Sequence, residues 1–282
     1  MLRPMSELLM VKNELHGHAV EIRRIALRAI YNARSGHPGG SLSIAEILSV
    51  LYFDALNVNP ECPDWSDRDR CILSKGHACP AYYAALALRG FFSVEEALTL
   101  RKVNSRMEGH PDFRIPGVDA PSGSLGMGLS QGLGMALGGR FLDKDFKTFV
   151  ILGDGDMQEG NTWEAIMAAG FQRMGTLIAI YDSNKLQGDA PVRVQLDMRD
   201  VGDKVGTFGW KVLRVDGHDI QALQSSFSEA RNSEKPTFIV ADTVKGKGVS
   251  FMEGVLRWHG SVSMTEAEIA ASLAELKAVD RA

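Results

Sequence analysis

The sequence predicts an α/β protein with a doubly wound, mainly parallel sheet and helices on both faces. Short apolar runs rich in β-branched residues alternate with helix-type patterns, and each run ends in a Gly, Asp or Ser cluster. No linker-like stretch divides the 282 residues. Strands that alternate with helices form parallel sheets covered on both faces. We therefore expect residues 1–282 to form a single domain.

Five apolar runs are candidate strands: Arg70–Leu73, Thr148–Leu152, Thr176–Tyr181, Trp210–Val215 and Pro236–Val244. Helical periodicity predicts a first long helix from about Glu14 to Ala33. A second helix is predicted over Asn161–Met174, between the second and third strands. Three residue pairs match the capping box, in which a Ser or Thr and a Glu three residues later start a helix: Ser43 with Glu46, Ser93 with Glu96, and Thr265 with Glu268.

Composition excludes several classes of function. The 31 Lys+Arg and 35 Asp+Glu give a net charge of −4, which argues against nucleic acid or an anionic membrane as the partner. The longest uncharged run, Gly123–Gly139, is too glycine-rich for a good membrane span. The first residues carry Arg3, Glu7 and Lys12 and show no secretory signal. Three cysteines without C-x-x-C spacing suit reduced thiols, so we expect a cytoplasmic protein.

The loop after the second strand candidate is the most informative passage, because ligands bind at the carboxyl edge of a doubly wound sheet. Gly153-Asp154-Gly155 opens it. A dinucleotide fingerprint is disfavoured because Gln158 occupies the third glycine position. A calcium loop is disfavoured because Glu159 stands where a sharp-turn glycine is required. The loop alone leaves open an ordinary turn of Asp and Gly.

The third strand candidate supplies the partner of this loop. Asp182-Ser183-Asn184 follows that strand, and the residues between the two strands suffice for a crossover helix. Asp154 and Asn184 are therefore expected at neighbouring strand ends. A carboxylate and an amide oxygen suit Mg²⁺, which often completes its shell with substrate phosphates. The pattern predicts a cation that bridges the chain to a diphosphate.

Gly153-Asp154-Gly155 followed by Asn184 resembles the thiamine diphosphate motif. Five further motifs resemble the transketolase family and occur in family order: Ser35-Gly-His-Pro-Gly39, Ser74-Lys-Gly-His-Ala78, Gly109-His-Pro111, Gly123-Ser-Leu-Gly126 and Trp258-His-Gly260. The resemblance covers most of the chain and implies the thiamine diphosphate-binding fold.

The resemblance implies thiamine diphosphate and Mg²⁺ as cofactors, with Ca²⁺ or Mn²⁺ as substitutes. The implied metal ligands are Asp154, Asn184 and the carbonyl of Leu186. The implied cofactor-binding residues are His77, Lys75, Gly123, Leu125, Gly155, Asn184, Lys245 and His259.

The resemblance also implies catalytic roles for His37, His110, His259 and Glu159. His37 and His110 would face the sugar, where imidazole can donate hydrogen bonds or move protons near neutral pH. Glu159 and Glu164 match acidic residues that link two cofactor sites across a dimer, although carboxylates at a helix start are also common for electrostatic reasons. We interpret the other three histidines as ordinary surface or core residues: His16, His18 and His218.

The resemblance stops with the first domain of the family. In full-length relatives a second domain carries the glutamate that acts on the aminopyrimidine ring, and after Gly260 this sequence offers only one more helix. The chain therefore resembles the N-terminal subunit of a split transketolase. A C-terminal subunit would bring the pyrimidine-binding domain in an α2β2 assembly. The predicted reaction transfers a two-carbon ketol unit from a ketose to an aldose, or between their phosphates.

Three alternatives remain open at this point. A subunit of another thiamine diphosphate enzyme, such as a 2-oxoacid dehydrogenase, is less favoured because four loop histidines suit a hydroxylated sugar. A nicotinamide dehydrogenase is disfavoured by the acidic loop. A non-catalytic scaffold relic would assemble with a partner chain without turnover. The segment Gly123–Gly139 suits either an interface helix or a buried core helix.

Overall fold

The computed structural model describes residues 5–188 and 190–279, with side chains from Met10 to Ala278 apart from residue 189. Arg3 therefore lies outside the described part. Five parallel strands form one sheet in the order β1-β2-β3-β5-β4. Their bounds are β1 (Arg70–Leu73), β2 (Thr148–Gly153), β3 (Leu177–Ser183), β4 (Lys211–Asp216) and β5 (Thr237–Asp242). All five predicted strands are confirmed.

The described residues form eleven α-helices: α1 (Met5–Ala33), α2 (Pro38–Leu42), α3 (Ala45–Val50), α4 (Cys79–Arg89), α5 (Val94–Ala97), α6 (Gly128–Phe141), α7 (Gly160–Phe171), α8 (Val192–Gln195), α9 (Val201–Thr207), α10 (Ile220–Arg231) and α11 (Glu266–Val279). The first helix begins earlier than the predicted Glu14, and α7 ends before the predicted Met174. None of the helices described here is both long and apolar enough to cross a bilayer.

The helices cover both faces of the sheet, which confirms the doubly wound class. On one face α1, α3, α4, α10 and α11 pack with strand residues such as Phe149 and Ile151. On the other face α6, α7 and α9 pack with Val150 and Leu152. Successive side chains of a strand point to opposite faces. Because both faces are buried, the inner strands β2, β3 and β5 are mostly apolar rather than alternating. The edge strand β4 is only partly buried and contains Lys211, Arg214 and Asp216.

Of the three predicted capping boxes, the one at Thr265 forms completely and the one at Ser93 forms only its N-cap half, because the Glu96 carboxylate accepts from Arg106. The backbone N–H of Glu268 donates to Thr265 Oγ1 at 3.2 Å, and the N–H of Thr265 donates to Glu268 Oε2 at 2.8 Å. Ser93 accepts from the N–H of Glu96 at 3.2 Å. The prediction for Ser43 is wrong. Its buried hydroxyl donates instead to the carboxylate of Asp182 at 2.9 Å, and a charged acceptor makes the stronger hydrogen bond.

Glu46 forms a buried network instead of a cap. Both of its oxygens accept from Arg23 at 2.7 Å, and Oε2 lies 3.0 Å from His218 Nδ1. His218 Nε2 accepts from the N–H of Val244 at 2.8 Å, so Nδ1 carries the ring proton. Burial raises the pKa of Glu46, but Arg23 and His218 lower it more, to about 2. These contacts give His218 a structural role.

Candidate active site at the carboxyl edge of the sheet

The carboxyl ends of the strands bring the sequence motifs to one edge. Gly153 pairs with Asp182 in the register of β2 and β3, so Asp154 and Asn184 follow adjacent strand ends as predicted. A cavity of about 270 Å³ lies at this edge. The predicted site residues that line it are His37, Lys75, His77, Gly123, Leu125, Asp154, Gly155, Asn184, Leu186, Lys245 and His259.

A larger cavity of about 660 Å³ lies behind the loop that follows β3 and shares Asp154 and Leu186 with the first. Its other walls come from β3 to β5 and from the segment of α8 and α9, with charges of both signs such as Arg193 and Asp197. None of the seven histidines lines it. The chemistry-bearing residues therefore concentrate in the smaller cavity.

Three oxygen donors line one side of the smaller cavity. Asp154 accepts the hydroxyl of Tyr181 at 2.5 Å and the N–H of Lys185 at 3.1 Å, which fixes its carboxylate. Asn184 Oδ1 accepts the N–H of Leu186 at 3.2 Å, and the carbonyl of Leu186 is the third oxygen. Carboxylate, amide and carbonyl oxygens are a donor set for a hard cation such as Mg²⁺. The residues present therefore fit the predicted metal.

The side chains behind these donors orient them. Asn184 Nδ2 donates to Asp182 Oδ2 at 2.9 Å, which leaves the amide oxygen as the group available to the cavity. Burial raises the pKa of Asp154 to about 6, while the hydrogen bond from Tyr181 acts in the opposite direction. A divalent cation would favour the ionised carboxylate. Among the described residues no group of three or more His, Cys, Asp and Glu could hold a metal, so amide and carbonyl donors are needed.

Three histidines line the same cavity. The ring centroids of His37, His77 and His259 lie 5.2 Å (His37–His77), 5.6 Å (His77–His259) and 6.0 Å (His37–His259) apart. Burial lowers the pKa of all three, to about 4 for His37 and His259. The rings are therefore neutral near pH 7. Each can donate one N–H to an anion without adding a full charge.

Lys245 supplies the positive charge of the cavity. Its ammonium lies 2.6 Å from His259 Nδ1 and donates to the carbonyl of Leu186 at 2.9 Å. Burial lowers its pKa to about 8, and the charge of Lys75 acts in the same direction. A buried cation without a carboxylate in hydrogen-bond contact favours an anionic ligand.

Lys75 lines the cavity but is already paired. Its side chain is 1% exposed, forms an ion pair with Asp182 and donates to the carbonyl of Gly40 at 3.0 Å. A Cβ at Gly40 would lie 3.3 Å from His77 Nε2 and 3.4 Å from Lys75 Nζ, so a side chain at this position would crowd both groups. The predicted contact between Lys75 and the cofactor stays a prediction, whereas its ion pair with the strand end is visible.

Asp156 joins three of the motifs and was not predicted from the sequence. It is fully buried and accepts from the N–H groups of Gly153 and Gly126 at 2.8 Å and from Ser74 Oγ at 2.6 Å. Burial raises its pKa, and the three donors oppose that change. The sequence signal was an acidic residue directly after Gly155 in a glycine-rich turn. Asp156 therefore fixes the shape of the cavity wall.

Two predicted catalytic residues do not line the cavity. The ring of His110 packs behind Gly123, where a built Cβ would lie 3.4 Å from His110 Cγ. Glu159 is exposed at the start of α7, and Glu164 is exposed on that helix. The predicted link between Glu159, Glu164 and a second cofactor site requires another copy of the chain and stays a prediction.

The fold and the site together are typical of a domain that binds a diphosphate through a cation. The family model described as transketolase, thiamine diphosphate binding domain, matches residues 16–277. The chain therefore belongs to the transketolase family and corresponds to its thiamine diphosphate-binding domain, which confirms the resemblance.

Two similar proteins have about the length of this chain. It is 41% identical over 266 residues to the 6-deoxy-6-sulfo-D-fructose transketolase subunit of Clostridium sp. (strain MSTE9), covering 94% of this chain and 96% of that protein. It is 38% identical over 245 residues to an apulose-4-phosphate transketolase subunit of Phocaeicola vulgatus, covering 86% and 87%. Both are named as subunits, which implies a partner subunit.

Solved transketolases share the fold but are longer. The enzyme of Campylobacter jejuni superposes with a TM-score of 0.88 at 32% identity, over 93% of this chain and 42% of that one. The enzyme of Leishmania mexicana superposes with a TM-score of 0.87 at 30% identity, over 95% and 44%. This chain spans less than half of either solved transketolase chain.

Proposed function

We propose that this chain is the N-terminal subunit of a split transketolase that depends on thiamine diphosphate and Mg²⁺. One observation carries the proposal: a single cavity is lined by residues with oxygen donors, by three neutral imidazoles and by the buried ammonium of Lys245, which donates to the carbonyl of Leu186. When bound, thiamine diphosphate supplies a nucleophilic carbon and holds the electrons released when a carbon–carbon bond of the ketose breaks.

The oxygen side of the cavity would hold the cation. Asp154, Asn184 and the carbonyl of Leu186 would ligate Mg²⁺, with Ca²⁺ or Mn²⁺ as substitutes, because all three donors are oxygens. Lys245 and the backbone N–H of Gly155 would donate to the diphosphate. Both line the same cavity, which supports these roles.

The histidines would handle the sugar and the cofactor phosphates. His77 and His259 would donate to the diphosphate, while His37 and His110 would bind the carbonyl and hydroxyl groups of the substrate. Because burial keeps His37 neutral, its ring can donate one hydrogen bond and accept another. The same neutral ring can pass a proton between substrate oxygens.

We propose a ketose with an anionic tail as donor substrate. The relatives are named for 6-deoxy-6-sulfo-D-fructose and for apulose 4-phosphate, which carry a sulfonate and a phosphate. A second cavity of about 540 Å³ shares His37 and His259 with the first, and Arg257 lines it. The guanidinium of Arg257 forms an ion pair with Glu268 at 2.8 Å, and an anionic substrate group would compete with that carboxylate for it.

We propose that residues 1–282 form one domain and that a separate C-terminal subunit supplies the pyrimidine-binding domain in an α2β2 assembly. The coverage of the two subunit relatives supports this division.

The outer face of α6 and α7 exposes Leu137, Phe141, Met167 and Phe171. Contiguous apolar patches of this kind mark protein interfaces, and Glu164 lies on the same helix pair. We assign this face to contact with a second copy.

We place the assembly in the cytoplasm, and expect no nucleic acid or membrane partner. The cysteines Cys62, Cys71 and Cys79 are free, and burial raises the pKa of Cys71 and Cys79 to about 12. Thiols of this kind suit a reducing compartment.

Two experiments test the proposed function. Calorimetry of the chain with thiamine diphosphate should show binding that requires Mg²⁺, and equal binding without a divalent cation would contradict the metal assignment. The chain should then be co-purified with the product of the neighbouring gene and assayed with phosphorylated and sulfonated ketoses. Ketol transfer that depends on Mg²⁺ and cofactor supports the proposal, whereas assembly without turnover would indicate a scaffold.

A further inference from the structure

We propose that Arg101 is a positioning residue that clamps the two turns carrying His37 and His110 and fixes a positive charge beside both rings. The inference rests on the proposed function only where that function places these histidines at the substrate. Arg101 belongs to none of the sequence motifs and does not line the cavity. It lies in a turn after α5 and is partly buried.

The first anchor of Arg101 is the turn between α1 and α2. Its Nη1 donates to Ser35 Oγ at 2.6 Å, two residues before His37. The N–H of Ser35 donates to the carbonyl of Ile30 at 3.3 Å, which ties the same turn to the end of α1. A hydrogen bond from a charged donor is stronger than one between neutral groups. The guanidinium therefore restrains the backbone that presents His37.

The second anchor is the glycine before His110. A Cβ built on Gly109 would lie 2.7 Å from Arg101 Nε, 2.8 Å from Nη2 and 3.0 Å from Cζ. The guanidinium thus occupies the space that a side chain at position 109 would need. His110 follows directly, and its carbonyl accepts the hydroxyl of Tyr83 at 2.9 Å. The plane of Arg101 therefore packs on one turn while its edge bonds to the other.

The backbone of Arg101 is itself held in an unusual conformation. Its φ is 57°, in the left-handed region, and its N–H donates to the carbonyl of Met107 at 2.7 Å. Leu100 and Met107 on either side of this bond are fully buried. Non-glycine residues persist in this region where their surroundings determine them, and such residues cluster at functional sites. The buried neighbours thus hold the backbone of the residue that carries the guanidinium.

The charge of Arg101 acts on both rings. Burial lowers the pKa of His37 most, followed by the charges of Arg101, His259, His110 and Lys245. Burial and then Arg101 lower the pKa of His110. His37 Nδ1 is also buried without a hydrogen-bond partner in the described residues, which disfavours its protonation further. The charge of Arg101 thus adds to burial in lowering the pKa of both imidazoles.

Histidine-ring NMR of the full chain across a pH range tests the charge. In Arg101→Met the titration midpoints of His37 and His110 should rise by at least about half a unit. In Arg101→Lys, which keeps the charge, the midpoints should stay closer to the parent values. The matched control is Arg114→Met, an exposed arginine in the loop after His110, with unchanged midpoints. If the titration midpoints of His37 and His110 in Arg101→Met equal those of the parent, the proposal is overturned.

A second variant tests the geometry and keeps the arginine. Gly109→Ala pushes the guanidinium off the turn, so the titration midpoints of His37 and His110 should rise. The Arg101→Met/Gly109→Ala double variant should show the same midpoints as Arg101→Met alone. Circular dichroism checks that each variant folds. If Arg101→Met fails to fold, Gly109→Ala alone decides. Unchanged midpoints in a folded Gly109→Ala variant would refute the clamp.

Kinetics with the partner subunit separates this inference from the proposed function. Arg101→Met should lower kcat and leave the cofactor affinity unchanged. The acid limb of the kcat–pH profile should move to higher pH by the same amount as the histidine midpoints measured by NMR. An inactive parent assembly would refute the proposed function and leave the NMR result standing. An active parent whose pH profile survives Arg101→Met would refute the role of Arg101.

Discussion

Asp156→Asn should destabilise the fold and weaken cofactor binding, although Asp156 is not one of the proposed metal ligands. Its Oδ1 accepts from Ser74 at 2.6 Å and from the N–H of Gly126 at 2.8 Å, and Oδ2 accepts from the N–H of Gly153 at 2.8 Å. These donors belong to three separate segments of the chain: the residue after β1, the loop before α6 and the end of β2. The carboxylate is therefore the common acceptor on which the shape of the cavity depends.

The size of the effect follows from these three bonds. Asparagine offers one oxygen and one NH₂, so the best orientation keeps Ser74 and Gly126 and sets the amide nitrogen against the N–H of Gly153. The unsatisfied buried donor costs about 1–3 kcal/mol, and the two remaining bonds lose about 1 kcal/mol each because the acceptor is neutral. Burial raises the pKa of Asp156, so removing the charge recovers part of this loss. We expect a net loss of about 2–4 kcal/mol.

Urea unfolding followed by tryptophan fluorescence measures the loss, since the chain has four tryptophans. Calorimetry with thiamine diphosphate and Mg²⁺ measures binding. The matched control is Asp145→Asn, because the Asp145 side chain is 97% exposed, and its effect should stay within about 0.5 kcal/mol. Equal urea midpoints for the two variants, or parent-like cofactor affinity in Asp156→Asn, would refute the reasoning.

Three further perturbations have defined outcomes. The folded pKa of Glu46 is about 2 against an ordinary 4.5, because its arginine and histidine partners outweigh burial. This depressed pKa contributes about 3 kcal/mol to the free energy of unfolding, which is present above about pH 4.5 and lost as pH falls through about 2. The urea midpoint of the parent should therefore fall across that pH range, and the midpoint of Glu46→Gln should change less. Asp154→Ala and Asn184→Ala should abolish Mg²⁺-dependent cofactor binding and ketol transfer while circular dichroism stays unchanged. Phe171→Glu, at a side chain 83% exposed, should reduce the assembly's mass in sedimentation.

Each of these perturbations has a control of the same chemistry at an exposed site. Glu95→Gln should retain the parent pH dependence, and a parent-like slope in Glu46→Gln would contradict the assignment to Glu46. Asp145→Ala should retain activity, whereas full activity in Asp154→Ala would exclude its metal role. Val103→Glu, at a side chain 92% exposed away from α6 and α7, should leave the mass unchanged. Equal masses for the parent and Phe171→Glu would remove the proposed interface.

The strands and the placement of the proposed metal ligands could be predicted because their determinants are local. The strands β2, β3 and β5 are buried on both faces over almost their whole length, so their apolar runs are visible in the sequence. Gly153 and Ser183 end neighbouring parallel strands joined by one crossover helix. That connection places Asp154 beside Asn184 without any knowledge of the other loops. The motif histidines could be identified for the same reason, since each lies within its own short motif.

The contacts that hold the site together could not be predicted, because they join residues far apart in the chain. Lys75 pairs with Asp182 across 107 positions, and Asp156 accepts from Ser74 across 82. Ser43 matched a capping box, but burial beside Asp182 redirected its hydroxyl. Which partner a polar side chain takes depends on the desolvated neighbours that packing brings to it, and a local pattern does not contain them.

The sequence by itself determined the order of strands and helices, the family and the oxygen donors at two adjoining strand ends. Only the tertiary structure decided that three imidazoles are neutral and that Lys75 forms an ion pair with Asp182. It also decided that Arg101 contacts the turns that carry His37 and His110. Periodicity and motif spacing act over a few residues. Burial and electrostatic fields depend on every element packed around a group, so only the folded chain fixes them.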